Sequence, residues 1–154
     1  MSDKDKKCAV ILLAEDDPGD QELIRRAFAK SQVRNQLIVV ENGQEVFEYL
    51  HGQGRFSAHQ PPRPDLILLD LNMPKLDGKE VLKRLKQSPA LHRIPVVVLT
   101  TSRHHEDIVC SYDLGANSYI TKPLKMEHLV DVVKKLSVYW FDTVQLPPHE
   151  EQLQ

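Results

Sequence analysis

The chain has 154 residues, 41% of them hydrophobic, and a formal net charge of −2. That length fits one domain with a single core, and so little net charge offers no basic surface for bulk nucleic acid binding. No apolar run reaches membrane-spanning length, and residues 1–7 are a charged tail without the apolar core of a secretory signal, so a soluble, cytoplasmic protein without membrane contact is expected.

Residues 8–14 form a short apolar run that ends in acid, Glu15-Asp16-Asp17. Pro18 fits the first helical position with Asp17 as its cap, and Leu23, Ile24, Ala27 and Phe28 recur at helical spacing, predicting a helix over 18–31. A second strand is predicted over 37–40. Asn42-Gly43 makes a turn, and a short helix carrying Val46, Phe47 and Leu50 stops at Gly52. Residues 52–64 read as a structureless surface loop stiffened by Pro61-Pro62. Leu66-Ile67-Leu68-Leu69, bounded by Pro64 and Pro74, suits a strand buried on both faces that delivers Asp70 at its C-terminal end.

Gly78 then opens a helix with Val81, Leu82 and Leu85 inward and Lys83, Arg84 and Lys86 on a solvated face. A fourth buried strand over 94–100 ends in hydroxyls at Thr100. A helix over 106–114 closes at Gly115, and a fifth strand over 118–121 ends at Lys122-Pro123. The last helix, 125–141, buries Leu129, Val132, Val133 and Leu136 and leads to a loose polar tail from Pro147 onward. Cys8 and Cys110 match no metal motif or disulfide framework and read as small, partly buried hydrophobes. The expected organisation is a tail (1–7), one domain (8–141) and a C-terminal extension (142–154).

Strand and helix alternate five times, which implies a parallel α/β sheet covered on both faces. Parallel strands bring their C-terminal ends to one edge, so Glu15 and Asp16, Asp70, Thr100 and Lys122 can converge. Clustered carboxylates raise one another's pKa unless a cation sits among them, and Mg²⁺ suits an all-oxygen site. A carboxylate beside Mg²⁺ and an ammonium can attack phosphorus, while the metal, Lys122 and the Thr100 hydroxyl hold the equatorial oxygens.

These residues resemble the receiver domain of two-component response regulators over nearly the whole chain, about 7–140. The resemblance implies the doubly wound flavodoxin-like sheet of order 2-1-3-4-5 with five helices. By position it makes Asp70 the phosphoacceptor and Asp16 a direct Mg²⁺ ligand. Glu15 would act through water, and Asn72 would offer its backbone carbonyl. Lys122 pairs with the phosphoryl group, with Lys122-Pro123 as a cis peptide, and Thr100 and Tyr119 form the switch pair. The chain is expected to be no enzyme beyond self-catalysed phosphotransfer and autodephosphorylation.

The run from Val138 to Pro148 extends the last helix beyond a minimal receiver and resembles the small single-domain response regulators of cyanobacterial phytochromes. That resemblance implies a phytochrome-type sensor histidine kinase as partner and a downstream protein or phosphotransfer partner. Three consecutive aromatics, Tyr139, Trp140 and Phe141, point in different directions on a helix, so at least one should be exposed or meet a partner. A homodimer through helix 4, strand 5, helix 5 and the extension would use them.

Blander readings stand beside these. Asp70 could be an exposed cap, but Thr100 and Lys122-Pro123 would then be coincidence, and Tyr119 could be plain core. A phosphorylation-independent adapter of the same fold is the alternative function, and the full set of acids, Thr and Lys speaks against it. An aspartyl-phosphate phosphatase would want a second acid two residues after the nucleophile, where Asn72 stands.

Overall fold

Alternate residues of the apolar runs face opposite ways, and each face finds its own helices. The computed structural model describes residues 8–31, 33–59 and 61–148. Five strands, β1 (Ala9–Ala14), β2 (Asn35–Val40), β3 (Leu66–Leu69), β4 (Val96–Thr100) and β5 (Ser118–Thr121), form one parallel sheet in the order 2-1-3-4-5. The connections carry α1 (Pro18–Ala29), α2 (Gly43–His51), α3 (Gly78–Gln87) and α4 (His105–Asp113), and α5 (Met126–Val138) follows the last strand.

Leu12, Ala14, Ile67, Leu69, Val96 and Val98 pack against Val46 and Tyr49 of α2 and Val81, Leu82 and Leu85 of α3. Their neighbours Ile11, Leu13, Leu66, Leu68, Val97 and Leu99 pack against Ile24, Ala27 and Phe28 of α1 and Leu129, Val133 and Leu136 of α5. β1, β3 and β4 are buried on both faces, as continuous apolar runs in a parallel sheet require. The doubly wound α/β fold expected from the alternation is therefore present.

Helix starts follow local chemistry. Asp17, Asn42 and Asp77 each accept a hydrogen bond from the backbone N–H three residues on, satisfying a donor the helix leaves free. Gly52 ends α2 with φ 64°, in the left-handed region that favours glycine. Gly78 is held for a different reason. A Cβ there would lie 2.3 Å from the Asp70 carbonyl oxygen, so only glycine lets α3 start this close to the end of β3.

Four expectations change. The loop after α2 is anchored rather than structureless: a 3₁₀ turn over Gly54–Phe56 places Phe56 edge-on to Tyr49 at 5.0 Å, and the Tyr49 hydroxyl donates to Pro62 O at 2.6 Å. Arg55 lies 4.6 Å over the Phe56 ring and donates to Val39 O and Glu45. Lys86 is not solvated either, since its ammonium donates to the His92 and Ile94 carbonyls at 3.1 and 3.2 Å. The last helix stops at Val138. A single wider turn, Tyr139–Thr143, follows, with Val144 N donating to Tyr139 O and the Thr143 hydroxyl to Val138 O.

That turn sets the aromatic run. Trp140 and Phe141 pack on the α1–α5 side of the sheet, and Tyr139 stays 53% exposed. Pro147 and Pro148 lie beside Arg63–Asp65 and Arg93–Pro95 rather than trailing free, while the rest of the expected tail falls outside the described residues. Among the described residues no helix is long and apolar enough to cross a membrane.

Candidate functional site

The ends of β1, β3, β4 and β5 each supply a side chain to one edge of the sheet. Glu15 follows β1, its N–H held by Val40 O at 3.0 Å, and Asp70 follows β3, its N–H held by Ala14 O at 3.0 Å. Lys122 follows β5, its N–H donating to Thr100 O at 2.7 Å, which ties the last two strands together at the site. Backbone pairing thus fixes where the functional groups emerge.

The Lys122 ammonium sits at the centre of that edge. It donates to Glu15 Oε1 at 2.5 Å, Asp20 Oδ2 at 3.0 Å and Asp70 Oδ2 at 3.3 Å, using all three of its protons. Asp70 Oδ1 also accepts from the Asn72 N–H at 3.3 Å. Glu15, Asp70, Thr100 and Lys122 are all buried, and two of their atoms, Glu15 Oε2 and Thr100 Oγ1, are buried without a hydrogen-bond partner.

The electrostatics follow from this crowding. Burial and the neighbouring Asp70 push Glu15 up to about 9 although Lys122 is in contact. Burial also works against ionised Asp70, but the neighbouring Glu15, the charge of Lys122, the nearby Thr100 hydroxyl and the Asn72 N–H outweigh it and hold the carboxyl below its ordinary range. Burial likewise disfavours the charged Lys122, and its three carboxylate partners more than reverse that. The arrangement keeps one carboxylate ionised beside a permanent cation.

A divalent cation fits the remaining groups. Glu15, Asp16 and Asp70 can each offer one oxygen, all within 4.8 Å of one another, and Glu15 has one oxygen, Oε2, without a hydrogen-bond partner. An oxygen-only donor set of surplus negative charge suits Mg²⁺ or Mn²⁺.

The family model of the response regulator receiver domain matches residues 11–134. The chain belongs to this family. The receiver is 44% identical over 147 residues to the response regulator Rcp1 of Synechocystis sp., covering 96% of this chain and 99% of Rcp1. It superposes on the Mn²⁺-bound form of Rcp1 with a TM-score of 0.84 at 44% identity, covering 91% of this receiver and 99% of that one. With the phosphorylated cyanobacterial phytochrome response regulator RcpA the TM-score is 0.86 at 45% identity, with 92% and 100% covered.

Of the residues singled out in the sequence, Glu15, Asp70, Thr100 and Lys122 meet at the edge of the receiver sheet, and Asp16 stands exposed beside them. Tyr119 lies one layer away, half-buried, its hydroxyl donating to Ser102 O at 2.9 Å in the loop after β4. Tyr139, Trp140 and Phe141 lie in the turn after α5, outside this cluster. Lys122–Pro123 is a correction: among the described residues no peptide bond is cis. Trans is favoured even before proline, and Lys122 reaches its three carboxylates through the trans bond. Asp20 was missed. The signal was Asp17, because a cap at that position fixes Asp20 in the first turn of α1, over the end of β1.

Proposed function

We propose that this receiver is a phosphoryl-accepting switch, charged on Asp70 by a phytochrome-type sensor histidine kinase and read out through protein contacts. The observation that carries the proposal is Lys122, 3.3 Å from an Asp70 held ionised, with the buried Thr100 hydroxyl left without a partner. An oxygen of Asp70 attacks the phosphorus of a phosphohistidine, the new P–O bond forms as the P–N bond breaks, and the imidazole leaves. Lys122 then pairs with the phosphoryl oxygens, and Thr100 Oγ1 donates to one of them, satisfying the orphaned hydroxyl. Asp16, Asp70 and the Asn72 backbone carbonyl would hold Mg²⁺ with Glu15 behind them. When bound, that ion supplies neutralisation of the carboxylates and the transferred group.

Readout runs through Thr100 and Tyr119. Any movement of Thr100 toward Asp70 pulls on the segment that includes Ser102, to which the Tyr119 hydroxyl is bonded. The face bordering that segment carries exposed Val109 and Tyr112 on α4 and exposed Leu124 and Met126 at the start of α5. With the exposed Tyr139 in the turn after α5, it is the surface for a second copy or a downstream partner. The kinase assignment rests on the identity with Rcp1 and RcpA.

Acetyl phosphate with Mg²⁺ tests the reaction. Asp70→Asn should abolish acid-labile phosphate incorporation, and labelling that persists elsewhere in that variant rejects Asp70 as the acceptor. Phosphotransfer from purified histidine kinases tests the partner, with a phytochrome-type kinase expected to be the fastest donor.

A further inference from the structure

Lys79 occupies an unfavourable position in its helix. It is the second residue of α3, where the helix dipole disfavours a cation, and it reaches across to the first turn of α4 to pair with Asp107. Asp107 accepts a second short hydrogen bond, from the Ser102 hydroxyl. The Ser102 hydroxyl oxygen in turn accepts from the His104 N–H at 3.4 Å, at the start of a helix that no side chain caps. Ser102 O accepts the Tyr119 hydroxyl. The segment between β4 and α4 is therefore tied on both sides, to α3 through Asp107 and Lys79 and to β5 through Tyr119.

We propose that Lys79 and Asp107 are positioning residues that strap the β4–α4 segment in its resting place and thereby bias this receiver against accepting a phosphoryl group. This rests on the phosphoacceptor reading given above. Thr100 is two residues from Ser102, and its hydroxyl lies close enough to act on Asp70 while still lacking a hydrogen-bond partner, so any shift of Thr100 onto a phosphorylated Asp70 is transmitted to that segment. The strap opposes the movement because Ser102 is bound to Asp107 and Asp107 is bound to another helix. Pairing favours the charged form of both partners, lowering Asp107 and raising Lys79. The rest of α4 adds little burial, since only Ser111 of its nine residues is buried, and one hydrogen bond, from the Tyr119 N–H to the Tyr112 hydroxyl at 3.2 Å, ties its far end to β5. A ligand that prefers the moved arrangement must overcome the strap, and its apparent affinity drops accordingly.

The test uses the full chain with Lys79→Met, Asp107→Asn and the charge-swapped pair Lys79→Asp/Asp107→Lys. Two readouts are taken: amide hydrogen exchange over 101–104 without ligand, and the affinity for beryllofluoride with saturating Mg²⁺. A partly exposed ion pair supports a change of about 2- to 5-fold. Each single variant should raise beryllofluoride affinity by that factor and speed exchange over 101–104. The charge swap should return both toward the wild-type values, which loss of a merely structural contact would not do. Unchanged exchange in both single variants overturns the strap, and faster exchange with unchanged or weaker affinity overturns its bias on phosphorylation. A swap that departs further than either single variant also rejects it. If the wild-type chain binds no beryllofluoride, the phosphoacceptor reading fails, and exchange still decides whether the strap exists.

Discussion

Glu15 and Asp16 are neighbours in sequence with opposite circumstances, and the difference predicts how each responds to metal. Glu15 is 1% exposed and bound to Lys122, whereas Asp16 is exposed at the mouth of the cluster. Asp16→Asn should therefore leave metal-free stability within about 0.5 kcal/mol of wild type, the usual range for a surface change. Saturating Mg²⁺ at a hundred times its Kd should stabilise the wild type by about 3 kcal/mol and the variant far less, as thermal unfolding with and without the ion would show. Tyr49 gives a prediction in pH. Burial pushes its hydroxyl up to about 12 from the ordinary 10, and that hydroxyl donates to Pro62 O. A folded pKa above the unfolded one means the contribution is complete below pH 10 and is lost as pH rises toward 12. Denaturant titrations should show wild type losing roughly 2 kcal/mol more than Tyr49→Phe across that window. Near neutral pH the variant should be about 1 kcal/mol less stable, from the lost hydrogen bond.

Between elements, the tightest constraint is where α3 starts against the end of β3. Gly78→Ala would drive a methyl group into the Asp70 carbonyl and the Leu71 backbone, atoms that cannot turn aside. It should cost about 1–3 kcal/mol and slow phosphate incorporation by displacing Asp70, measured by chemical denaturation and by acetyl phosphate labelling. This element was legible in the sequence, and so was the site edge. Short apolar runs ending in Glu15, Asp70 and Thr100 alternate with helical periods and so read as buried parallel strands, the Ser118–Thr121 stretch before Lys122 fits as a less buried fifth, and parallel strands share an edge. What was not legible depends on contacts between residues distant in sequence. Nothing in the local pattern around Lys86 announces that it will reach the His92 and Ile94 carbonyls, and a run of Gly, Ser and Pro hides that Phe56 docks on Tyr49. The lengths of the last helix and the contact made by Pro147 were equally closed, because the Tyr139–Thr143 turn leaves the helical period that the reading extrapolated.

Across the whole molecule the two faces of the sheet do different work. On one, α1 and α5 pack over Ile11, Leu13, Leu66 and Leu68, the Ser31 and Ser137 hydroxyls meet at 2.7 Å, and Trp140 and Phe141 extend the same core. On the other, α2 and α3 are well buried, whereas α4 buries only Ser111 and is held by polar contacts, Lys79 to Asp107 at its first turn and the Tyr119 N–H to the Tyr112 hydroxyl near its end. The C-terminal aromatics divide between the α1–α5 core, which Trp140 and Phe141 join, and solvent, which Tyr139 faces. Their two duties fall on different residues. Trp140 is partly buried against the core, so Trp140→Ala should lower the stability of the monomer by about 1–2 kcal/mol, less than the 3–5 kcal/mol expected for a fully buried ring. Tyr139 is more than half exposed and touches Trp140 edge-on at 5.4 Å, so Tyr139→Ala should cost under 1 kcal/mol. If the extension carries a dimer contact, Tyr139→Ala should nevertheless shift the mass measured by light scattering toward monomer in the beryllofluoride form. Loss of stability without change in mass for both variants would leave the aromatic run a purely internal brace. Unchanged stability in Trp140→Ala would instead mean that the turn contributes nothing to the α1–α5 core.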